Sequence, residues 1–346
     1  MRVVLVLGPS TGGIGGYVRA LAEHCVARGD QVVVVGPAAT ESHFSFTATG
    51  ARFVTLSKLP AALRGADVVH SHGLKAAALT NLVRAGRRRS RRHVVTLHNA
   101  VLATGIRARI ASLVERLAVR PADVVLCASS DLVQRATALR AREVSLCPVP
   151  SPPLPAPTRS RAEIRDELGV PDDESLLLTV CRLAPQKALP FLLDAVAILG
   201  DVILGAIPVR LVIAGDGPKR GALAARIEAE KLPVTLLGHR SDVSDLLAAA
   251  DVFVLSSQWE ARALVVQEAM HAGVPVVATR VGGLPELVGD AGLLVPANNA
   301  LAFAARVRSI LADPDLRDKL RAAGPARAAT WPSYTESLAV ARAWYT

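Results

Sequence analysis

Residues 251–288 read DVFVLSSQWEARALVVQEAMHAGVPVVATRVGGLPELV. Two short runs rich in branched residues, Val252 to Leu255 and Val276 to Ala278, flank a stretch of helical periodicity that starts near Ala263 and ends near Gly273. That is the strand, helix and strand of a parallel sheet covered on both faces. A helix starting there leaves Glu260 in the preceding loop and puts Glu268 about a turn inside. The amides of Leu264 and Val265 then stand unbonded at the positive helix end, where they face a phosphate. Because one carboxylate accepts two vicinal hydroxyls, Glu268 suits a ribose and Glu260 a hexose.

The same alternation extends outward in both directions. Upstream in this half it predicts strands at Leu176 to Val180, Arg210 to Ala214 and Val234 to Leu237, and downstream one at Leu293 to Val295. From Pro148 to Pro157 six of ten residues are proline, which excludes helix interior and central strand and marks a stiff domain connector. Before it come strand candidates at Val3 to Leu7, Gln31 to Val35, Val68 to His72, Val94 to His98 and Val124 to Ala128. Val18, Leu21, Ala22, Cys25 and Val26 form one apolar helix face that Gly29 stops. The 346 residues exceed what one core usually serves, so two doubly wound α/β domains are expected, 1–150 and 151–324. Residues 325–346, with a helix over Trp331 to Thr346 carrying Trp331, Tyr334, Leu338, Trp344 and Tyr345, form a closing segment that must pack on something.

Arg182 and Lys187 follow a strand, five positions apart, where both reach the carboxyl edge of the sheet and two fixed cations suit a diphosphate. The loop Gly12-Gly13-Ile14-Gly15-Gly16 stands between a strand and a helix, where bare amides receive phosphate. A dinucleotide cofactor also needs an acidic residue at the end of the second strand, and that strand ends Val35-Gly36-Pro37, which disfavours NAD. His98 closes a strand at the sheet edge, placed to bond a sugar hydroxyl. His70 and His72 share a strand face without a third ligand in evidence, so no metal is expected.

Hydrophobic residues make up 51% and charged residues 20%, the composition of a folded globular chain. The first apolar run is too short for a secretory signal, and Leu189 to Ile213 is too interrupted for a span, so a cytoplasmic location is expected. Cys25, Cys127, Cys147 and Cys181 are separated singletons and read as reduced buried thiols. A net charge of +10 favours anionic partners. The dense cluster Arg84, Arg87, Arg88, Arg89, Arg91 and Arg92 has no interleaved aromatics, which excludes a nucleic-acid stacking platform and leaves a solvated loop or a foot on an anionic membrane surface.

Taken with GGIGGYVRALAEHCVARGDQVVVV, VVTLHN, CRLAPQKALPFLLDAV, LVIAGDGP and LLGH, the opening string makes the chain resemble the retaining glycosyltransferases of family 4 nearly end to end. The resemblance implies the GT-B fold, two Rossmann-like domains facing across a cleft, with the final helix crossing back to the first. It implies that Gly12, Gly13, Gly15 and Gly16 approach the donor diphosphate, that Arg182 and Lys187 bind it, and that Gly215, His239, Leu264 and Val265 belong to the donor site. Glu268 would hold the ribose, Glu260 the donor sugar, and His98 the transferred sugar. The implied substrates are a nucleotide diphosphate sugar and a lipid, glycan or small-molecule acceptor, with no metal and no other cofactor. A donor-binding scaffold and an epimerase of the same fold are the alternatives. Two departures stand out: Ala188 where the family commonly has glycine, harmless only if the position needs no positive φ, and Ala261-Arg262-Ala263 after Glu260, with Arg262 expected to point to solvent rather than to an acidic sugar or acceptor.

Overall fold

A computed structural model describes residues 1–10, 12–85, 92–102, 105–200, 206 and 208–346. The chain divides into two compact units, Met1–Val149 with Pro332–Thr346, and Pro150–Trp331.

In the first unit the strands are β1 (Arg2–Leu7), β2 (Gln31–Gly36), β3 (Arg52–Thr55), β4 (Val68–His72), β5 (Arg92–Leu97), β6 (Val124–Cys127) and β7 (Val144–Leu146). They form one sheet in the order β3-β2-β1-β4-β5-β6-β7, and every pairing is parallel. The helices are α1 (Gly13–Val26), α2 (Ala38–Phe44), α3 (Leu59–Ala62), α4 (Leu74–Arg84), α5 (Gly105–Val119) and α6 (Ser130–Ala138). On α1, Val18, Leu21, Ala22 and Cys25 are buried, and Gly29 supplies the left-handed turn that follows. The strands β3 and β7 lack a counterpart in the sequence expectation. Both are edge strands of three or four residues, too short and too mixed in exposure to show a period.

The second unit repeats the plan with β8 (Ser175–Val180), β9 (Val209–Ala214), β10 (Val234–Gly238), β11 (Val252–Leu255), β12 (Val276–Thr279) and β13 (Leu293–Val295), ordered β10-β9-β8-β11-β12-β13. Its helices are α7 (Arg161–Leu168), α8 (Leu189–Leu199), α9 (Arg220–Ala229), α10 (Val243–Ala249), α11 (Leu264–His271), α12 (Leu284–Val288), α13 (Ala300–Ala312) and α14 (Pro314–Ala328). Successive strand residues go to opposite faces. Leu176, Leu178, Phe253 and Leu255 join Val266, Ala269 and Met270 in one core, while Leu177, Val252 and Val254 join Phe191, Leu192 and Phe303 in the other. That double burial is why these strands read as continuous apolar runs rather than alternating ones.

The proline-rich connector has no helix or strand and is tied to the second unit by hydrogen bonds: Ser151 N donates to Gln267 Oε1 at 3.0 Å, and Thr158 donates to Asp245 from N at 2.6 Å and from Oγ1 at 3.0 Å. Residues 325–346 do not form one closing segment. Residues up to Ala328 complete α14, Pro332 cannot continue a helix, and a capping box between Ser333 and Glu336 starts α15 (Tyr334–Ala343) afresh. In the first unit α15 is anchored by Arg342, whose Nε and Nη2 donate to Asp30 at 2.8 and 3.0 Å, and by Tyr345 Oη, 2.8 Å from His70 Nδ1. Among the described residues no helix is long and apolar enough to cross a membrane.

The Asp30 side chain is 2% exposed, and Arg342→Ala would leave this buried carboxylate with the Met1 amino group, 3.1 Å from Oδ1, in place of two charged partners. A loss of about 1–3 kcal/mol is expected, read as a lower midpoint in thermal denaturation, with Arg342→Lys restoring part of it.

Candidate functional site

In the second unit the strand order reverses at β8, which has β9 on one side and β11 on the other. The helices that follow, α8 and α11, pack on opposite faces of the sheet, and the carboxyl edge at such a reversal is the place where open parallel sheets bind ligands. The loop after β8 carries Arg182 and Lys187, and the loop after β11 carries Glu260. Lys187 Nζ donates to Glu260 Oε1 at 2.5 Å, and Ser257 Oγ donates to the same oxygen at 2.6 Å. The two loops are stitched along their backbones as well. Ser256 Oγ donates to Lys187 O at 2.7 Å, Gln258 N to Gln186 O at 2.8 Å, and Gln186 Nε2 to Trp259 O at 2.7 Å. From the loop after β12, Gly283 N donates to Glu260 O at 2.9 Å. Next to it Gly282 has φ +52°, and a Cβ there would stand 2.0 Å from Glu260 O, so only glycine lets this third loop close on the glutamate.

Lys187 is half-buried against its carboxylate while Arg182 is exposed, so the two cations of this loop have different surroundings. The helix α11 begins at Leu264, so the amides of Leu264 and Val265 lie in its first turn, where the helical ladder offers no acceptor. Glu268 is the fifth residue of α11, and burial pushes its carboxyl group above the ordinary 4.5. Gly215 serves a backbone crossing: at φ +134° it donates to Gly238 O at 2.6 Å, and a Cβ would sit 1.9 Å from Cys181 O. His239 is exposed just beyond β10, two strands away from β8, on the order of 10 Å.

The structure decides the first departure from the family pattern and overturns the expectation for the second. Ala188 caps α8 with φ 47° and ψ 38°, the left-handed region, so the position does need positive φ and alanine is strained there. Arg262 does not point to solvent. Its guanidinium lies 5.4 Å from the centre of the Trp331 ring, and desolvation lowers its pKa to about 10. The aromatic face attracts the cation, and no sequence neighbour of Arg262 could have announced a partner 69 positions away.

The first unit has its own reversal, between β1 and β4. A cavity of about 580 Å³ opens at that edge, with Ser10, Ile14, His72, Lys75, Asn99 and Ile110 in its wall. Of the glycines in the first loop, Gly12 and Gly13 are exposed, whereas Gly15 is buried with the Phe44 ring where a Cβ would be, and its amide donates to Ser10 Oγ at 3.1 Å. Open space surrounds Gly12 and Gly16. His98 is 8% exposed, and its Nε2 lies 3.3 Å from His72 Nδ1, while His72 Nε2 has no hydrogen bond among the described residues. His72, considered from sequence only as a metal ligand, is thus the ring on the cavity wall. His70 is engaged by Tyr345 and by Thr96 Oγ1 at 2.6 Å. Among the described residues no three His, Cys, Asp or Glu side chains group as a metal site. Arg84 ends α4 and Arg92 opens β5; Arg87, Arg88, Arg89 and Arg91 lie outside the described residues.

Ala188→Gly should relieve the left-handed strain and, after the entropy glycine loses on folding, raise stability by about 0.5–1 kcal/mol in denaturant titration. Burial lowers all four histidines of this sheet, His70 to about 3, His98 to about 4, and His72 and His93 well below 6.5. Groups whose folded values are depressed below 6.5 favour the unfolded state once protons are available to it. Stability is therefore retained above pH 6.5 and lost as the pH falls towards the folded values, by about 1.4 kcal/mol per pH unit per ring. Thermal melting at pH 7, 6 and 5 should show a steadily falling midpoint.

Comparison with known proteins covers both units. The description "Glycosyl transferases group 1" matches residues 160–327, and "Glycosyl transferase 4-like domain" matches residues 12–152. A D-inositol 3-phosphate glycosyltransferase of Xylanimonas cellulosilytica is 35% identical over 190 residues, covering 52% of this chain and 44% of that protein. A GDP-mannose-dependent alpha-(1-6)-phosphatidylinositol dimannoside mannosyltransferase of Mycobacterium tuberculosis is 34% identical over 187 residues, 53% of this chain and 47% of that protein. The chain thus spans about half the length of the curated relatives it matches. Anabaena HepE, solved in complex with UDP, superposes with a TM-score of 0.83 at 20% identity over 99% of both chains. With two Rossmann-like units of matching topology and both halves of the sequence matched, the chain belongs to the family 4 glycosyltransferases of GT-B fold.

Proposed function

We propose that the protein transfers a sugar from a UDP- or GDP-linked donor to a hydroxyl of a lipid, glycan or small-molecule acceptor in cell-envelope or glycoconjugate biosynthesis, with retention and without a metal. The observation that carries this reading is the Lys187–Glu260 pair, fixed by Ser257 at the reversal point of the second sheet in a chain of this family. The UDP held by the Anabaena neighbour and the GDP-mannose used by the mycobacterial relative support the donor class.

On this reading Glu268 accepts the two ribose hydroxyls, Arg182 and Lys187 take the diphosphate with the Leu264 and Val265 amides, and Glu260 accepts hydroxyls of the donor sugar. In the first unit the exposed Gly12 and Gly13 leave backbone open to phosphate, His98 bonds the transferred sugar, and the cavity beside His72 takes the acceptor. The anomeric bond to the diphosphate breaks, its electron pair staying on the leaving phosphate oxygen. The acceptor oxygen bonds the anomeric carbon on the same face, and its proton passes to that phosphate oxygen. No protein nucleophile is needed. The fixed cations stabilise the charge that develops on the diphosphate. A cytoplasmic location against an anionic membrane surface belongs to the same reading.

Purified protein incubated with UDP- and GDP-sugars and an acceptor panel should release nucleoside diphosphate and glycosylated product. Nucleotide binding without turnover marks a scaffold, and epimerised donor marks the alternative enzyme. In calorimetry Glu268→Gln should weaken nucleotide binding, and Glu260→Gln should chiefly lower turnover, each by about 10- to 150-fold for a lost charge-assisted bond. Since the Glu268 carboxyl is pushed up, the ionised acceptor form is lost early on acidification, so affinity for the nucleotide falls as the pH drops and the Gln variant loses that dependence. Wild-type binding and rates in both variants would overturn the assignment.

A further inference from the structure

Residues 68–122 hold eleven Lys and Arg against a single carboxylate, Glu115. Their surplus of ten equals the net charge of the whole chain, +10, so the remaining residues balance. The same segment concentrates exposed apolar side chains. Along α5, Ile106, Ile110, Leu113 and Leu117 are 74%, 61%, 57% and 39% exposed, and Leu82 of the neighbouring α4 is 63% exposed. The spacing of four, three and four places the α5 residues in one stripe on one side of the helix. Its other side is used internally: Ala118 and Val119 are buried, and so is Glu115, which forms an ion pair with Arg135 at 2.5 Å. Arg109, Arg116 and Arg120 are exposed among the stripe residues, and Glu115 leaves no carboxylate on that side to offset them.

A solvated helix turns polar residues outward, and α5 turns out an apolar stripe edged by cations, the arrangement of a helix lying in a membrane interface. We propose that α5, with Leu82 of α4, is a docking face for an anionic lipid bilayer: Ile106, Ile110, Leu113 and Leu117 enter the headgroup boundary while Arg109, Arg116 and Arg120 meet acidic headgroups. Charge complementarity selects the bilayer over a second copy of this chain, whose own stripe would bring like charges together. Each cation near an anionic surface strengthens binding about fivefold. The stripe also adjoins the cavity of the first unit, since Ile110, Ala111 and Val114 stand in its wall. An acceptor held in the bilayer therefore reaches the cavity along α5, a step that rests on the transferase reading, whereas bilayer docking itself does not.

The test is co-sedimentation of the full chain, without nucleotide, with vesicles of phosphatidylcholine alone or containing about 30 mol% phosphatidylglycerol. Binding is expected to the anionic vesicles only and to fall at least tenfold at about 0.5 M salt, where screening is short-ranged. Ile106→Ser/Leu113→Ser and, separately, Arg109→Gln/Arg116→Gln should each reduce vesicle binding tenfold or more, with circular dichroism and melting unchanged. Equal binding by the two variants and the wild type, or no binding by the wild type, overturns the proposal. So does a wild-type dimer in sedimentation velocity that Ile106→Ser/Leu113→Ser turns to monomer, which would make the stripe a contact between copies. Donor hydrolysis measured alongside separates the two readings: vesicle binding without turnover sinks the transferase, and turnover without vesicle binding sinks the docking face.

Discussion

The bond from Lys187 to Glu260 joins the two halves of the second sheet at the one point where the sheet's topology pulls them apart. Crossover helices leave β8 and β11 in opposite directions, so nothing in the strand ladder holds their loops together beyond the last residue. The ion pair and three hydrogen bonds to backbone carbonyls do so instead, with the Ser257 hydroxyl fixing the carboxylate of the pair. An isolated pair of this kind would be poor support for a fold, because desolvation offsets most of its attraction. Here it acts inside a set of loop contacts, each of which fixes the geometry of the next, and Gly282 closes the set from a third loop. The consequence is a site whose shape is present before any ligand arrives.

What could be read from the sequence follows from which interactions are local. All six strands of the second unit show as apolar runs because both faces of that sheet are covered, and α11 begins within a residue of its expected start because Ala261-Arg262-Ala263 ends the loop before a run of helix formers. The edge strands β3 and β7 escaped because a short strand with one neighbour has little to bury. The site residues Lys187, Glu260 and Glu268 were legible as types at a spacing, and their pairing was not, since the distance between β8 and β11 along the chain says nothing about which loops meet. Ser257 gave only a faint sign, a hydroxyl at the carboxyl end of an apolar run. Arg262 on Trp331 gave none, and Ala188 could be judged only once its φ was known.

The two sheet edges differ in a way that matters for chemistry. The second unit presents charges, Lys187 and Glu260 paired and Arg182 exposed. The first presents uncharged rings, held so by burial, beside a mostly apolar cavity. A charged edge suits a diphosphate, and uncharged rings suit hydroxyls, with Lys75 the one charged side chain in that cavity's wall among the described residues.

That neutrality gives the His72 and His98 pair a further property. A neutral imidazole has one nitrogen that donates and one that accepts. If His98 Nε2 carries its proton, His72 Nδ1 must accept it, and the buried His72 Nε2 then carries N–H. If instead His72 Nδ1 carries the proton, His72 Nε2 presents a lone pair. The tautomer of His98 therefore sets whether the buried His72 Nε2 carries a proton or a lone pair, so the pair holds two proton arrangements that differ neither in charge nor in the position of any heavy atom.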